Sequence, residues 1–415
     1  MSFTSEISVE KIKIPKGAWL VVVLLFNVGA LNYIDRMTIA TMRNSIMAEM
    51  PMNDAQFGLL TSVFLWVYGL CSPIAGFIGD RFKRSWVIIG SLFVWSAVTI
   101  LTARATTFEE LLATRALMGI SEAFYMPAAL ALILDYHRGT TQSLATGLHL
   151  AGTVVGQSLG FIGGWIAEKH SWNYAFDILG IIGIIYSLVL IFFLKDAPST
   201  NDEFSDKEEN KVRFFKGVRD LFKQKSFIYL LFFWGTLGIV GWMVMGWLPT
   251  FYKENFNLSQ GIAGFYATAF LYPASIIGLL FGGFLADRWS KKNSNARILV
   301  PIIGLCIAAP CIFAASYTNI LPLAILFFIF YALTKMFVDS NLMPILSMLV
   351  NKRYRATGYG ILNMAATIVG GIGIYAAGIL RDLQINLSIV YQIAALFLAL
   401  CVVLLFVLKK YAKLF

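Results

Sequence analysis

Six ionisable residues sit inside apolar stretches of this 415-residue chain. Asp35 and Arg36 are neighbours in LNYIDRMTIA, Arg115 and Glu122 share TRALMGISEA, and Lys335 and Asp339 share TKMFVD. A charge held in hydrocarbon is costly and stands as a functional hypothesis by default. Three of the six are acidic and three basic, so the ionised set is neutral. That balance matters, because paired buried charges are tolerated while an uncompensated one is heavily penalised.

Spacing narrows the pairing. Arg115 and Glu122 are seven residues apart, two helical turns, and share one face. Gly119 and Ala123 lie along that face and allow close packing or a cavity wall. Asp35 and Arg36 are adjacent, so on a helix they point about 100° apart. Each needs a partner on another element, and Arg115 and Glu122 supply one of each sign. The expected arrangement is a crossed set, Asp35 with Arg115 and Arg36 with Glu122. The bland alternative is that these pairs only staple helices, but buried ion pairs are weak stabilisers. Lys335 and Asp339 stand at i,i+4 and either neutralise each other or meet a ligand. Protonating a carboxylate of the set would release its arginine to hold an anion, above all a carboxylate in bidentate fashion. Proton and anion would then favour each other's binding, which is symport by linkage.

The elements that carry these residues are membrane spans. The chain is 58% hydrophobic and 13% charged, with a mean hydropathy of +0.73. A soluble domain would be nearer half apolar and about a quarter charged. Apolar runs near the roughly 20 residues needed to cross a bilayer recur along the whole length. Twelve spans are predicted: 18–42, 56–78, 85–104, 109–134, 140–167, 173–194, 227–251, 260–285, 297–317, 320–350, 357–380 and 386–408. The basic segments DRFKR, DYHRG, DRWSKK and NKRYR, with the tail KKYAK, fall on alternate loops and place both termini in the cytoplasm. The net charge of +10 is thereby a matter of topology, and no nucleic-acid partner is expected. The polar start carries no cleavable secretory signal, so the first run is a retained span. A polar stretch, 196–226, divides a six-helix bundle at 1–195 from another at 227–415. Its second half suits either an amphipathic helix on the inner leaflet or a solvated linker. Cys71, Cys306, Cys311 and Cys401 lie in apolar runs without metal or disulfide spacing. Three scattered histidines make no metal site. No metal and no cofactor are expected, beyond a proton as coupling ion.

The two halves repeat. GFIGDRF at 76–82 matches GFLADRW at 283–289, and LHLAGTVVG at 148–156 matches LNMAATIVG at 362–370. The second match pairs His149 with Asn363. Glu122 aligns with Asp339, each five residues before a proline, Pro127 and Pro344. Two like-oriented six-helix halves are the arrangement of the major facilitator fold, with the site at their interface near mid-membrane. The fold class expected is therefore all-α integral membrane, twelve helices in two pseudo-symmetric bundles. Asp80, Arg81, Asp287 and Arg288, in the repeated G-x-x-x-D-R, are expected to lock helix ends and release them as the halves rock. In the first copy the basic residues follow sooner than the superfamily pattern has them.

NYIDR at 32–36, Tyr68 in FLWVYG, Arg115 in TRALMG and Glu122 in GISEA resemble the anion:cation symporter family in pattern and spacing. That family includes bacterial hexuronate and aldonate transporters and animal sialin. The resemblance implies proton coupling at Asp35 and Glu122, anion binding or charge pairing at Arg36 and Arg115, and substrate contact at Tyr68 and Asn363. It implies proton-driven uptake of a sugar acid, a monomer in the bilayer, and a bacterial inner membrane. Two positions depart from it: Thr153 stands where some members carry glutamine, and Lys335 has no expected counterpart. His149 is read either as a hydrogen-bonded structural residue or, by symmetry with Asn363, as a substrate contact. The N-Y-x-D-R run and the span-four glutamate also resemble spinster-like lipid transporters, which makes a lysolipid the alternative substrate. A drug antiporter fits less well, since GQSLGFIGG at 156–164 lacks the proline of that group's span-five signature. There is no nucleophile elbow, metal cluster or phosphate loop, so no enzyme is expected.

Overall fold

The computed structural model describes residues 15–79, 81–137, 141–198, 211–350 and 355–411. Among them every regular element is helical. Twelve helical segments are long and apolar enough to cross a membrane. Spans one to six are Ala18–Thr41, Asp54–Ala75, Arg84–Thr102, Phe108–Tyr136, Gln142–Lys169 and Trp172–Phe193. Spans seven to twelve are Lys225–Asn255, Gln260–Ser290, Ala296–Tyr317, Leu321–Leu349, Thr357–Asp382 and Leu387–Tyr411. Every expected span is present, with ends within a few residues of the sequence pattern. The even number puts the outer ends of spans one and twelve on the same face, the terminal face.

Four spans are broken where the sequence pattern ran on. Span four pauses at Phe124, span five at Gly160, span eight at Phe270 and span ten at Ser340–Asn341. Three of these breaks precede a proline: Pro127, Pro273 and Pro344. Proline lacks the N–H that would bond the carbonyl four residues back, and its ring crowds that carbonyl. The breaks in spans four and ten fall just past Glu122 and Asp339. The acidic-then-proline repeat is thus a structural repeat: a carboxylate at the last turn before a helix break.

Small residues set the closest approach. A Cβ on Gly152 would lie 2.3 Å from the Phe26 carbonyl oxygen, and one on Gly156 2.1 Å from that of Ala30. Only glycine lets span five sit this tightly on span one.

The two halves meet from mid-depth to the face opposite the termini. Ser62 Oγ donates to the Gly371 carbonyl at 2.7 Å and Trp66 Nε1 to that of Ile368 at 3.0 Å, joining spans two and eleven. Thr268 Oγ1 donates to the Ser158 carbonyl at 3.1 Å, joining spans eight and five. Between span six and span seven a short helix, Lys211–Phe222, sets Leu221 fully buried, near Gly358 of span eleven.

Candidate functional site

Span one places Arg36 at the centre. Its Nε donates to Glu122 Oε2 at 2.7 Å, with both side chains almost wholly buried. The guanidinium lies 4.8, 5.0 and 4.6 Å from the ring centroids of Tyr33, Phe64 and Tyr68. Three aromatic faces hold a cation through their quadrupoles and keep its planar fork oriented. Tyr68, expected as a substrate contact, is one of these three rings and does not line the neighbouring cavities, and Tyr33 and Phe64 complete a cage not foreseen.

The other half of the crossed set is not formed. Arg115 is buried, and its Nη1 points at the Met118 thioether, 2.9 Å away. Its guanidinium stacks 5.1 Å from Phe64, and its Nε has no hydrogen-bond partner among the described residues. Asp35 turns the other way, toward Trp95 and Thr99 of span three. The reason is the step around span one: with Arg36 aimed at span four, Asp35 faces a different neighbour. One ion pair therefore coexists with a buried cation and a buried carboxylate that do not meet. Asn32 lies beside Glu122, but neither its amide nor Glu122 Oε1 makes a well-formed hydrogen bond among the described residues.

Arg36 and Arg115 border a narrow gap of about 10 Å³, closed on the far side by Trp242, Met245 and Ile374 of the C-terminal half. Trp242 and Met245 also line a cavity of about 400 Å³ in the part of the bundle nearer the terminal face. Ligand pockets commonly span about 300–1,000 Å³. Tyr33 lines this cavity too, so its ring stands between the Arg36 guanidinium and the larger space. Lys335, Asp339, Tyr359 and Asn363 form the cavity's polar wall. Lys335 Nζ lies 2.5 Å from Asp339 Oδ2, the self-neutralising arrangement. Trp234 and Leu237 supply an apolar wall.

His149 does not reach this space. Its Nδ1–H donates to the Leu25 carbonyl at 3.1 Å, and its ring meets Tyr125 edge-on at 5.8 Å. His149, Gly152 and Gly156 share the face of span five that packs on span one, so symmetry with Asn363 fails. Asn363 is exposed and lines the cavity. Of the expected helix-end locks, Asp287 pairs with Arg297 at the start of span nine, 2.9 Å away, rather than with its neighbour. Arg288 and Arg81 are exposed, and Asp80 lies outside the described residues.

A latch that sequence reading missed closes the face opposite the termini. Arg43, just past span one, pairs with Asp54 at the start of span two and lies 3.5 Å from Glu254 at the end of span seven. Arg381, at the end of span eleven, pairs with Asp54 at 3.0 Å and grips Glu254 in bidentate fashion at 2.8 and 2.9 Å. The next residue, Asp382, accepts the backbone N–H groups of Asp54 and Ala55 at 2.8 and 3.0 Å, capping span two from the other half. Both guanidiniums lie over Trp247. The available signal was an arginine at span ends on the face that is otherwise poor in Lys and Arg.

Known proteins bear on what this arrangement serves. The chain is 27% identical over 381 residues to spinster homolog 1 of Xenopus tropicalis, covering 87% of this chain and 72% of that one. It is 28% identical over 343 residues to the D-galactonate transporter of Escherichia coli, covering 76% and 78%. The crystal structure of a bacterial homolog of the human lysosomal transporter spinster, inward-facing and unoccupied, superposes with a TM-score of 0.77. That match covers 96% of this chain and 97% of the other at 22% identity. The Major Facilitator Superfamily pattern matches residues 25–374 and, again, 242–414. An all-helical twelve-span bundle with an interface cavity, transporter relatives and a family match along most of its length make this chain a membrane transporter that belongs to the Major Facilitator Superfamily.

Proposed function

We propose that the protein is a proton-coupled symporter of a small organic anion, of the sugar-acid type, working by alternating access. The observation that carries this reading is Arg115: a fully buried cation beside the interface with no carboxylate within ion-pair distance. An unpaired buried charge is strongly unfavourable, and an anionic ligand would remove that penalty. Arg36 is the second claw. Its ion pair among the described residues is with Glu122, and a proton on Glu122 would free it, still caged by the three rings, to join Arg115 on a carboxylate. Asp35 and Glu122 are the proton carriers of this scheme. Asn363 and the Lys335–Asp339 pair, which line the larger cavity, serve substrate contact, with Trp242 available to stack on a sugar ring, and Tyr68 acts beside Arg36, on whose guanidinium its ring lies. The basic loops support a cytoplasmic side for the termini, and with them the larger cavity, and likeness to an Escherichia coli transporter supports a bacterial inner membrane. Likeness to a D-galactonate transporter supports a sugar acid.

A lysolipid is the second reading. Likeness to spinster favours it, as does the apolar wall of Trp234 and Leu237. Uptake into proteoliposomes separates the two. Gradient-driven accumulation of glucuronate, galacturonate or galactonate, lost in Glu122→Gln, is the expected result. Movement of a lysolipid with no acid uptake would replace the symport reading and make the arginines headgroup ligands.

A further inference from the structure

On the outer surface of the N-terminal half, spans three and four leave a groove of about 440 Å³ with almost wholly apolar walls. It runs from Phe82 and Trp86 at the terminal face to Leu117, Ile120 and Phe124 near mid-depth. Phe82 and Trp86 are more than half exposed, and Gly90 leaves open space where a side chain would stand. In a membrane-spanning bundle this surface faces hydrocarbon, so a lipid tail rather than water is its natural occupant. The mouth adds a charge. Lys83 lies between Phe82 and Trp86 in sequence, is exposed, and has no ion pair among the described residues. Two acidic groups meet the residues that follow it. Asp135 pairs with Arg84, and Asp196 accepts the Ser85 N–H at 3.0 Å and hydroxyl at 2.6 Å. An exposed indole at the same level suits the headgroup boundary.

We propose that this groove is a binding site for one anionic phospholipid of the leaflet on the terminal side. The phosphate lies at Lys83 and an acyl chain fills the groove past Phe124 toward Leu117 and Val98. The middle of the groove gives the site consequence. Ser121 and Phe124 flank Glu122, and Ser91 Oγ bonds the Ser121 carbonyl at 2.6 Å across the groove floor. A chain in the groove therefore braces span four at its break, directly behind the Arg36–Glu122 pair.

The test is native mass spectrometry of the full chain released from detergent with added phosphatidylglycerol or phosphatidylcholine of identical chains. The expected result is a single retained adduct, at least fivefold more abundant for phosphatidylglycerol. Lys83→Gln should erase that preference, and Gly90→Phe should remove the adduct with either headgroup. Val94→Trp, on the exposed groove wall, serves as a second filling variant should Gly90→Phe fail to fold. Equal adducts for both headgroups, or adducts that persist in both filled variants, would mean annular lipid only and overturn the proposal. Because the readout is binding, it stands apart from whether a sugar acid is transported.

Discussion

Asp54 is the residue on which the latch turns, and Asp54→Asn is the perturbation that tests it. Its carboxylate receives both Arg43 and Arg381, one from each half of the molecule. The side chain is 15% exposed and the arginines about a tenth, so solvent screens the pairs only in part. At about 1 kcal/mol for each, the upper end for pairs that still touch water, the loss is about 2 kcal/mol. That changes a conformational equilibrium about thirtyfold. A state open on the face opposite the termini and populated at about 1% would rise to about a quarter of the molecules. Asparagine keeps the size of the side chain and leaves the backbone cap from Asp382 in place, so folding is spared.

The assay is the distance distribution between spin labels at Glu109 and Asn319, both exposed and placed on the two halves at that face. The four native cysteines, Cys71, Cys306, Cys311 and Cys401, are first replaced. A longer-distance population in Asp54→Asn is expected. A smaller one is expected in Glu254→Gln, whose carboxylate is 39% exposed and better screened. An unchanged distribution in a well-folded Asp54→Asn would refute the latch.

The buried charges respond differently to removal. Arg36→Gln leaves Glu122 unpaired and should cost about 3 kcal/mol, read as a fall in Tm in detergent. Arg115→Gln removes a cation with no carboxylate partner, so it should hold or raise Tm while weakening anion uptake at least tenfold; equal thermal losses in the two variants would contradict the pairing. Lys335→Met and Asp339→Leu should each destabilise more than the double variant, a coupling of about 1 kcal/mol or more in a thermal double-mutant cycle. His149→Ala should cost about 1–3 kcal/mol of stability in lost hydrogen bonding, read as a fall in Tm, and leave the KM for substrate within twofold.

The membrane architecture was legible in the sequence because hydropathy over twenty residues is a local property. The breaks in spans four and ten were legible in part, since the repeated carboxylate-then-proline marks them. Arg36–Glu122 followed from helical geometry, and Asp35–Arg115 failed for the same geometry: adjacent residues on span one cannot both face span four. Of the two readings of His149 the hydrogen-bonded structural one holds; the symmetry reading misled because the internal repeat relates sequence positions, whereas Gly152 and Gly156 decide which face of span five is buried against span one. The latch escaped because its members lie up to 338 residues apart, at span ends where a charge is ordinary. The cage of Tyr33, Phe64 and Tyr68 escaped because aromatic residues crowd every span.

Span one links the site to the latch. Arg36 and Arg43 are seven residues apart, about 10 Å along the axis and on one helical face. The helix is distorted at Met42: the Met42 N–H reaches the Thr38 carbonyl at 3.1 Å and the Ile46 N–H that of Met42 at 3.0 Å, while the Ser45 N–H goes to Gln260 Oε1 at 3.0 Å. Backbone bonds on both sides of Met42 give a turn at one arginine a short path to the other. Coupling of this kind is reciprocal, so freeing Arg36 must weaken the hold of Arg43, just as opening the latch must weaken the hold of Arg36 on Glu122. Glu122→Gln frees Arg36 without touching the latch. The same labels at Glu109 and Asn319 should then report a larger open fraction. Should the distribution match the unmodified protein while Asp54→Asn shifts it, Met42 is a hinge, and the charge site and the latch move independently.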